Sequence, residues 1–234
     1  MKEVIFKDLG EIKYADAWEI QKQLFSQLIA TKLATRNNSQ PSKNIRKAYL
    51  LFCEHPPVYT LGKNGKAENL LVAKSDLNAD YERIDRGGDI TFHGPGQLVG
   101  YPILDLECFE KSIANYVESL EEIIIELLSN YGLNGVRFCD SPGVWLNASR
   151  PGKARKICAI GIKSSRWVTM HGFALNVNTN LSYFKNIIPC GIEGKPVTSM
   201  SKELGKEVDF QGVKDKLKKI FCTSFSAKLI ESEP

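Results

Sequence analysis

Strand-type runs outnumber helix-type runs in this 234-residue chain, and the two do not alternate. A doubly wound parallel sheet needs a helix after almost every strand, so this order predicts an α+β fold of mixed β-sheets with packed helices. Strand-type apolar runs occupy 4–9, 48–53, 58–61, 81–86, 89–93, 97–105, 136–139, 144–146, 156–163 and 168–177. Helical spacing marks 14–33, where Trp18, Leu24, Phe25, Leu28, Ile29 and Leu33 recur. It is clearest in 112–131, with Ile113, Tyr116, Val117, Leu120, Ile123, Ile124, Leu127, Leu128 and Tyr131 on one side and Glu118, Glu121, Glu122 and Glu126 mostly on the other. Ser112 is placed to cap that helix at its start and Gly132 at its end. A closing helix is expected over 209–225, capped by Asp209, with Val213, Leu217, Ile220 and Phe221 inward. Residues 35–47 are polar and aperiodic and predict an exposed loop without chemistry; 63–80 predict irregular structure. The length suits a single catalytic domain spanning 1–234.

Composition excludes several classes. The net charge is only +4, and no lysine/arginine run exceeds a pair, which argues against nucleic acid while allowing steering toward acidic protein partners. Six cysteines include no C-x-x-C pair, so zinc and thioredoxin-type motifs have no support. The start MKEVIFKDLG lacks an apolar signal-peptide core, and no apolar run reaches membrane-spanning length. The expectation is a cytoplasmic protein with reduced thiols and no membrane association.

Chemistry concentrates in two stretches. Residues 86–102, RGGDITFHGPGQLVGYP, set five glycines and two prolines among strand-type residues. Glycine inside a strand marks a bulge or the close approach of a backbone or ligand. The spacing matches neither a P-loop nor a dinucleotide fingerprint, and a bulged hairpin with nothing bound is the plain alternative. His93 and His171 each precede a glycine in a strand context; each is a candidate for a structural or a catalytic role. His55, before Pro56 and Pro57, reads as a turn residue. No carboxylate is spaced to complete a metal site with these histidines.

The second stretch, 156–192, reads KICAIGIKSSRWVTMHGFALNVNTNLSYFKNIIPCGI. Its two strand-type runs can form a hairpin, and if the following loop folds back, Lys156 meets Cys190. An ammonium beside a thiol lowers its pKa and makes it a nucleophile at neutral pH. Pro189 and Gly191 favour a presented thiol there. The alternative is a buried thiol at 190 and a surface lysine at 156. Cys53, Cys108, Cys139, Cys158 and Cys222 lie in apolar or terminal contexts and read as inert packing.

Taken together, 86–102, 142–145, 156–161, 171–177, 189–191 and Thr198-Ser199 resemble, in order, the motifs of the lipoyl(octanoyl) transferases. These enzymes move an octanoyl group from acyl carrier protein to a lipoyl domain. The resemblance implies the fold shared by lipoate and biotin protein ligases, and a ping-pong transfer with Cys190 as acyl-bearing nucleophile and Lys156 lowering its pKa. It implies substrate-binding positions at Arg86, Gly87, Gly88, Asp89, Ile90, Thr91, Phe92 and His93. Ala159, Ile160 and Gly161 carry over likewise, as do Gly172, Phe173 and Ala174. The implied donor is octanoyl-acyl carrier protein. The implied acceptors are lipoyl domains of 2-oxoacid dehydrogenase complexes and the glycine cleavage H protein, and neither cofactor nor metal is needed. Phe92 stands where tyrosine is frequent in the family, Lys163 where arginine is, and the 35–47 loop is longer. Burying the about seven carbons beyond an octanoyl carbonyl is worth up to roughly 5 kcal/mol at ~0.8 per methylene, which demands an apolar tunnel. Ile90, Leu98, Ile160 and Phe173 are candidate liners. The competing readings are an ATP-dependent lipoate or biotin ligase on the same fold, a non-catalytic binding module for acyl-carrier or lipoyl domains, and a cysteine hydrolase with His93 or His171 as base to Cys190.

Overall fold

The computed structural model describes residues 1–37, 47–138, 141–150, 152–189 and 196–231. Strand β1 (Lys2–Glu11) leads into helix α1 (Tyr14–Asn37). Strands β2 (Ala48–Glu54), β3 (Val58–Leu61), β4 (Asp80–Arg83), β5 (Ile90–His93) and β6 (Gln97–Ile103) precede α2 (Ile113–Ser129). Next come β7 (Gly135–Arg137), β8 (Gly143–Leu146), β9 (Arg155–Ser165) and β10 (Val168–Asn176). Helices α3 (Met200–Leu204) and α4 (Phe210–Ser224) are followed by β11 (Ala227–Glu231).

Eight strands form one sheet in the order β11-β1-β2-β6-β10-β9-β8-β7. β1 runs parallel to β2 and β11, and α1 supplies the crossover that a parallel β1–β2 pair requires. The remaining pairs of this sheet are antiparallel. A second sheet sets β3 between β4, parallel, and β5, antiparallel. The fold is thus α+β, as the order of runs predicts.

The large sheet is buried on both faces. Leu50, Phe52, Leu98 and Phe173 pack with Leu120 and Ile124 of α2 and Leu217 and Phe221 of α4. Leu51, Val99, Tyr101 and Met170 pack on the other face with Phe25 and Leu28 of α1. Coverage on both sides explains why β2 reads as an unbroken apolar run. The small sheet packs Tyr59, Leu61, Ile90 and Phe92 against Phe184, which lies in the 3-10 segment Leu181–Asn186, and Ile187, which follows it.

The caps at Ser112 and Asp209 form: Ser112 Oγ accepts from Asn115 N at 3.1 Å, and Asp209 Oδ1 from Gly212 N at 3.1 Å. Several expectations are corrected. Residues 35–37 continue α1 rather than starting a loop, and 38–46 lie outside the described residues. The C-cap of α2 is Asn130, with the left-handed turn two residues on at Gly132 (φ 73°). Glu121 is buried, because it accepts from Gly143 N at 2.9 Å and pairs with Arg137 Nε at 3.2 Å. β4 and β5 flank β3 instead of pairing with each other, so the glycines between them are not a hairpin turn. α4 does not close the chain: β11 follows and pairs with β1, from Lys2 opposite Ala227 to Phe6 opposite Glu231.

Candidate active site

β9 and β10 form the expected hairpin, with Gly172 opposite Gly161, Phe173 opposite Ile160 and Ala174 opposite Ala159. The segment between β4 and β5 lies across it. Gly87 N donates to Ile162 O at 2.9 Å. A Cβ on Gly161 would stand 3.1 Å from Gly87 O and 3.0 Å from Arg86 Cδ, so the missing side chain is what lets the two backbones approach. Arg86 is buried and ties this segment to β3: its Nη2 donates to Thr60 O at 2.9 Å and Thr60 Oγ1 at 3.0 Å. Asp89 holds the next turn, accepting from Ile90 N at 2.7 Å, Lys66 N at 3.2 Å and the Asn69 amide.

Between this segment and the hairpin lies a pocket. Arg86, Gly88, Asp89, Ile90, Thr91 and His93 line one side. Ala159, Ile160 and Gly161 line it from β9, and Gly172, Phe173 and Ala174 from β10. Gly87 and Phe92 are not among its lining. Gly87 is spent on the bond to β9, and the Phe92 ring turns into the small-sheet core, stacked on Tyr183 at 4.5 Å between centroids. Ile90, Ile160 and Phe173 line the pocket, whereas Leu98 belongs to the core beneath. The Phe173 ring occupies the space a side chain at Gly100 would need; a Cβ there would lie 2.1 Å from its Cζ.

Tyr14, Val99 and Tyr101 also line this pocket, and nothing in the local sequence singles them out. Tyr14 opens α1 and stacks on His93 at 5.6 Å. His55 is not a turn residue but is fully buried behind the pocket. Its Nδ1 bonds Ile12 O at 2.7 Å, and because a carbonyl only accepts, Nδ1 carries the proton. Nε2 therefore accepts from the Tyr101 hydroxyl at 2.7 Å. Burial pushes His55 down to about 4 and raises the phenols of Tyr14 and Tyr101, so this wall is polar but uncharged at neutral pH.

Both remaining histidines are anchored. His93 Nδ1 donates to Gln97 Oε1 at 2.8 Å, Nε2 faces Thr60 Oγ1 at 3.3 Å, and burial holds the ring well below the usual range. His171 also lines the pocket and adopts φ 59° inside β10, a left-handed conformation that costs a non-glycine residue energy. Its Nε2 lies 3.0 Å from Asp85 Oδ1, while Asp85 Oδ2 takes Lys163 Nζ at 2.5 Å. The bond from His171, with Lys163 adding to it, holds the Asp85 carboxyl below the usual range. Asp85 adjoins the glycine-rich motif, yet only the tertiary fold shows its two partners.

Lys156 is not a surface lysine: it is 6% exposed. Its Nζ donates to Ser141 Oγ at 2.8 Å and to Pro142 O at 3.1 Å, and lies 4.8 Å from the centre of the Trp145 ring. Its backbone pairs with Val197, accepting from Thr198 N at 2.9 Å and donating to Pro196 O at 3.0 Å. A smaller pocket around Lys156 includes Pro189 and Val197 and shares Thr91, Ala159 and Ala174 with the larger one. Cys190 and Gly191 lie outside the described residues, as does Cys139. Cys53 and Cys158 are buried, and burial raises both thiols far above the usual range. Among the described residues no group of three or more His, Cys, Asp or Glu could hold a metal ion, and no helix is long and apolar enough to cross a membrane.

This hairpin-and-glycine-loop site on a mixed sheet defines a class. Residues 13–222 match the lipoyl protein ligase A/B catalytic domain family. A bi-partite lipoate protein ligase from Thermoplasma acidophilum superposes with a TM-score of 0.69 over 99% of this chain and 87% of its own, at 16% identity. A lipoate-protein ligase A bound with ATP gives 0.66 over 99% and 88%, at 15% identity. At such identities the likeness is one of fold. Sequence similarity is far higher to octanoyltransferases. That of Cytophaga hutchinsonii is 52% identical over 227 residues, covering 96% of this chain and 93% of its own. That of Christiangramia forsetii is 52% identical over 234 residues, covering 97% and 98%. The chain belongs to the octanoyltransferase family, as the ordered motifs imply, and that family is one of acyltransferases.

Proposed function

We propose that the chain, working as one catalytic domain, transfers an octanoyl group from octanoyl-acyl carrier protein to a specific lysine of lipoyl domains. The acceptors under this reading are those of 2-oxoacid dehydrogenase complexes and the glycine cleavage H protein, met in the cytoplasm. Cys190 carries the acyl group as a thioester, and Lys156 sets its protonation. One observation carries the reading. The Lys156 amine is buried in a pocket that adjoins the larger one, and the chain on both sides of Cys190 converges on it, Pro189 in its pocket and Val197 on its backbone. The ATP-dependent ligases share this fold at low identity, which carries no activity over.

Under this reading the Lys156 ammonium favours the Cys190 thiolate, which attacks the thioester carbonyl of the donor. The carbon–sulfur bond to the carrier breaks, and the carrier thiolate takes a proton from Lys156. One thioester has replaced another, so this half-reaction costs little free energy. The acceptor amine then attacks the Cys190 thioester, an amide forms, and the thiolate leaves. The now neutral Lys156 receives the proton the amine sheds. Forming an amide from a thioester is downhill, which is why neither ATP nor a metal is required. Ile90, Ile160 and Phe173 are the apolar part of the pocket lining, and under this reading the acyl chain lies against them.

Intact-mass analysis tests this. After mixing with octanoyl-carrier protein, the chain gains one octanoyl group, mapped to Cys190, and passes it to a lipoyl domain without ATP. A Cys190→Ser variant that still transfers, or transfer that consumes ATP, overturns the reading.

A further inference from the structure

We infer that Glu121 is a positioning residue for the proton-handling amine of Lys156, acting on it through the peptide between Pro142 and Gly143. The inference rests on the role given to Lys156 above. That single peptide is held at both ends. Its carbonyl, Pro142 O, accepts from Lys156 Nζ at 3.1 Å, and its amide, Gly143 N, donates to Glu121 Oε1 at 2.9 Å. A carboxylate, one amide group and an amine thus form one chain of hydrogen bonds, from α2 through the start of β8 to β9. Both end groups are buried, Glu121 at 5% and Lys156 at 6% exposure.

The sequence is fitted to this arrangement. Gly143 has φ 125°, and a Cβ there would lie 2.5 Å from Cys158 O and 3.5 Å from Lys156 Cε. Only a bare backbone brings this peptide against β9 and the lysine stem. On α2, Glu121 is turned inward while Glu118, Glu122 and Glu126 are exposed. A neutral amide or hydroxyl would satisfy the one N–H of Gly143 without the cost of burying a charge. A carboxylate does more. Negative charge on the N–H side strengthens the carbonyl as an acceptor, because hydrogen bonds chained in a low-dielectric interior polarise one another. The Pro142 carbonyl therefore keeps hold of Lys156 Nζ while that amine gives up a proton and regains it. No proton moves along the peptide. Charged groups on the adjoining elements are paired: Arg137 holds Glu122 as well as Glu121, and Arg155 holds Glu203. The Cys158 thiol is kept neutral by burial.

Glu121→Gln removes the charge and leaves an oxygen for Gly143 N, and two readouts test the inference. The first is the Gly143 amide proton, followed by NMR in protein made with isotope-labelled glycine. It is expected at low field in the wild type and upfield of that in Glu121→Gln. It moves upfield in Lys156→Met as well, because a peptide polarised at both ends weakens at one when the other is removed. The second readout is octanoyl transfer. Glu121→Gln is expected to lower kcat roughly tenfold, with KM for the octanoyl donor within about twofold. The alkaline limb of kcat against pH moves about one unit down, because a removed anion no longer favours the protonated amine. A Gly143 proton indifferent to Lys156→Met overturns the inference, and this arm stands even where Glu121→Gln does not fold. A Glu121→Gln variant with wild-type kcat also overturns it. So does one whose kcat falls equally at every pH, since the carboxylate then only supports the fold. Coupling at Gly143 together with wild-type transfer by Lys156→Met instead overturns the role given to Lys156.

Discussion

Ser141 Oγ accepts a hydrogen bond from Lys156 Nζ at 2.8 Å, and the Pro142 carbonyl beside it takes a second at 3.1 Å. Two consecutive residues leading into β8 thus aim a buried amine that arises on β9. Hydrogen bonds to charged groups contribute about 1.5–3 kcal/mol, so Ser141→Ala is expected to lower stability by about 2 kcal/mol. A mis-aimed amine should also reduce kcat/KM for octanoyl transfer by roughly tenfold, equivalent to ~1.4 kcal/mol. Urea denaturation and steady-state kinetics read the two effects. Unchanged kinetics with lowered stability would mean that the hydroxyl only supports the fold.

Thiol reactivity separates the cysteines. Cys53 and Cys158 are buried and held as neutral thiols, and they should resist iodoacetamide in the native protein. Cys190 should label readily at about pH 7, and Lys156→Ala should slow that labelling by roughly tenfold, one pKa unit's worth. Peptide mapping gives the rate at each site. Identical Cys190 rates in both proteins would remove Lys156 from its proposed role, and loss of transfer in Cys158→Ala would implicate the wrong thiol.

Gly100 sits under the Phe173 ring, where an added Cβ would come within 2.1 Å. Gly100→Ala must displace a ring that lines the pocket, and overpacking of this kind costs about 1–3 kcal/mol. The expected result is lower stability together with a shift in the acyl length transferred, measured with a series of acyl thioesters. A destabilised variant with an unaltered length profile would detach Phe173 from the tunnel.

Acid should weaken the fold through His55. Its folded value of about 4 lies below the ordinary 6.5, so the unfolded chain takes the proton first as pH falls. The contribution of His55 is complete above about pH 6.5 and is lost progressively down to about 4. By pH 5 it should have cost about 2 kcal/mol. Burial depresses His93 and His171 as well, which adds loss in the same direction. Urea midpoints at pH 7 and pH 5 measure this. Equal midpoints would mean that His55 is solvated in the native protein.

Local signals carried far in this chain. The caps at Ser112 and Asp209, the apolar stripes of α2 and α4, the β9–β10 hairpin and the close backbone approach at Gly87 and Gly161 all depend on residues within a few positions of one another, or on a missing side chain. Such features are written in periodicity and residue type, and so is the order of motifs that places the chain in its family. What the tertiary structure alone decided is polar complementarity across the sheet. The buried stripe of α1 runs Tyr14, Ala17, Gln21, Phe25, Leu28 and Lys32, and apolar spacing misses two of its members. Gln21 Oε1 is there to accept from His171 N at 2.9 Å, and Lys32, 1% exposed, to pair with Asp105 at 2.6 Å. Asp85 under His171, Tyr101 on His55 and Ser141 on Lys156 belong to the same kind. A buried polar group is tolerable only opposite its partner, and the partner is set by which strands lie side by side, which no local stretch of sequence contains.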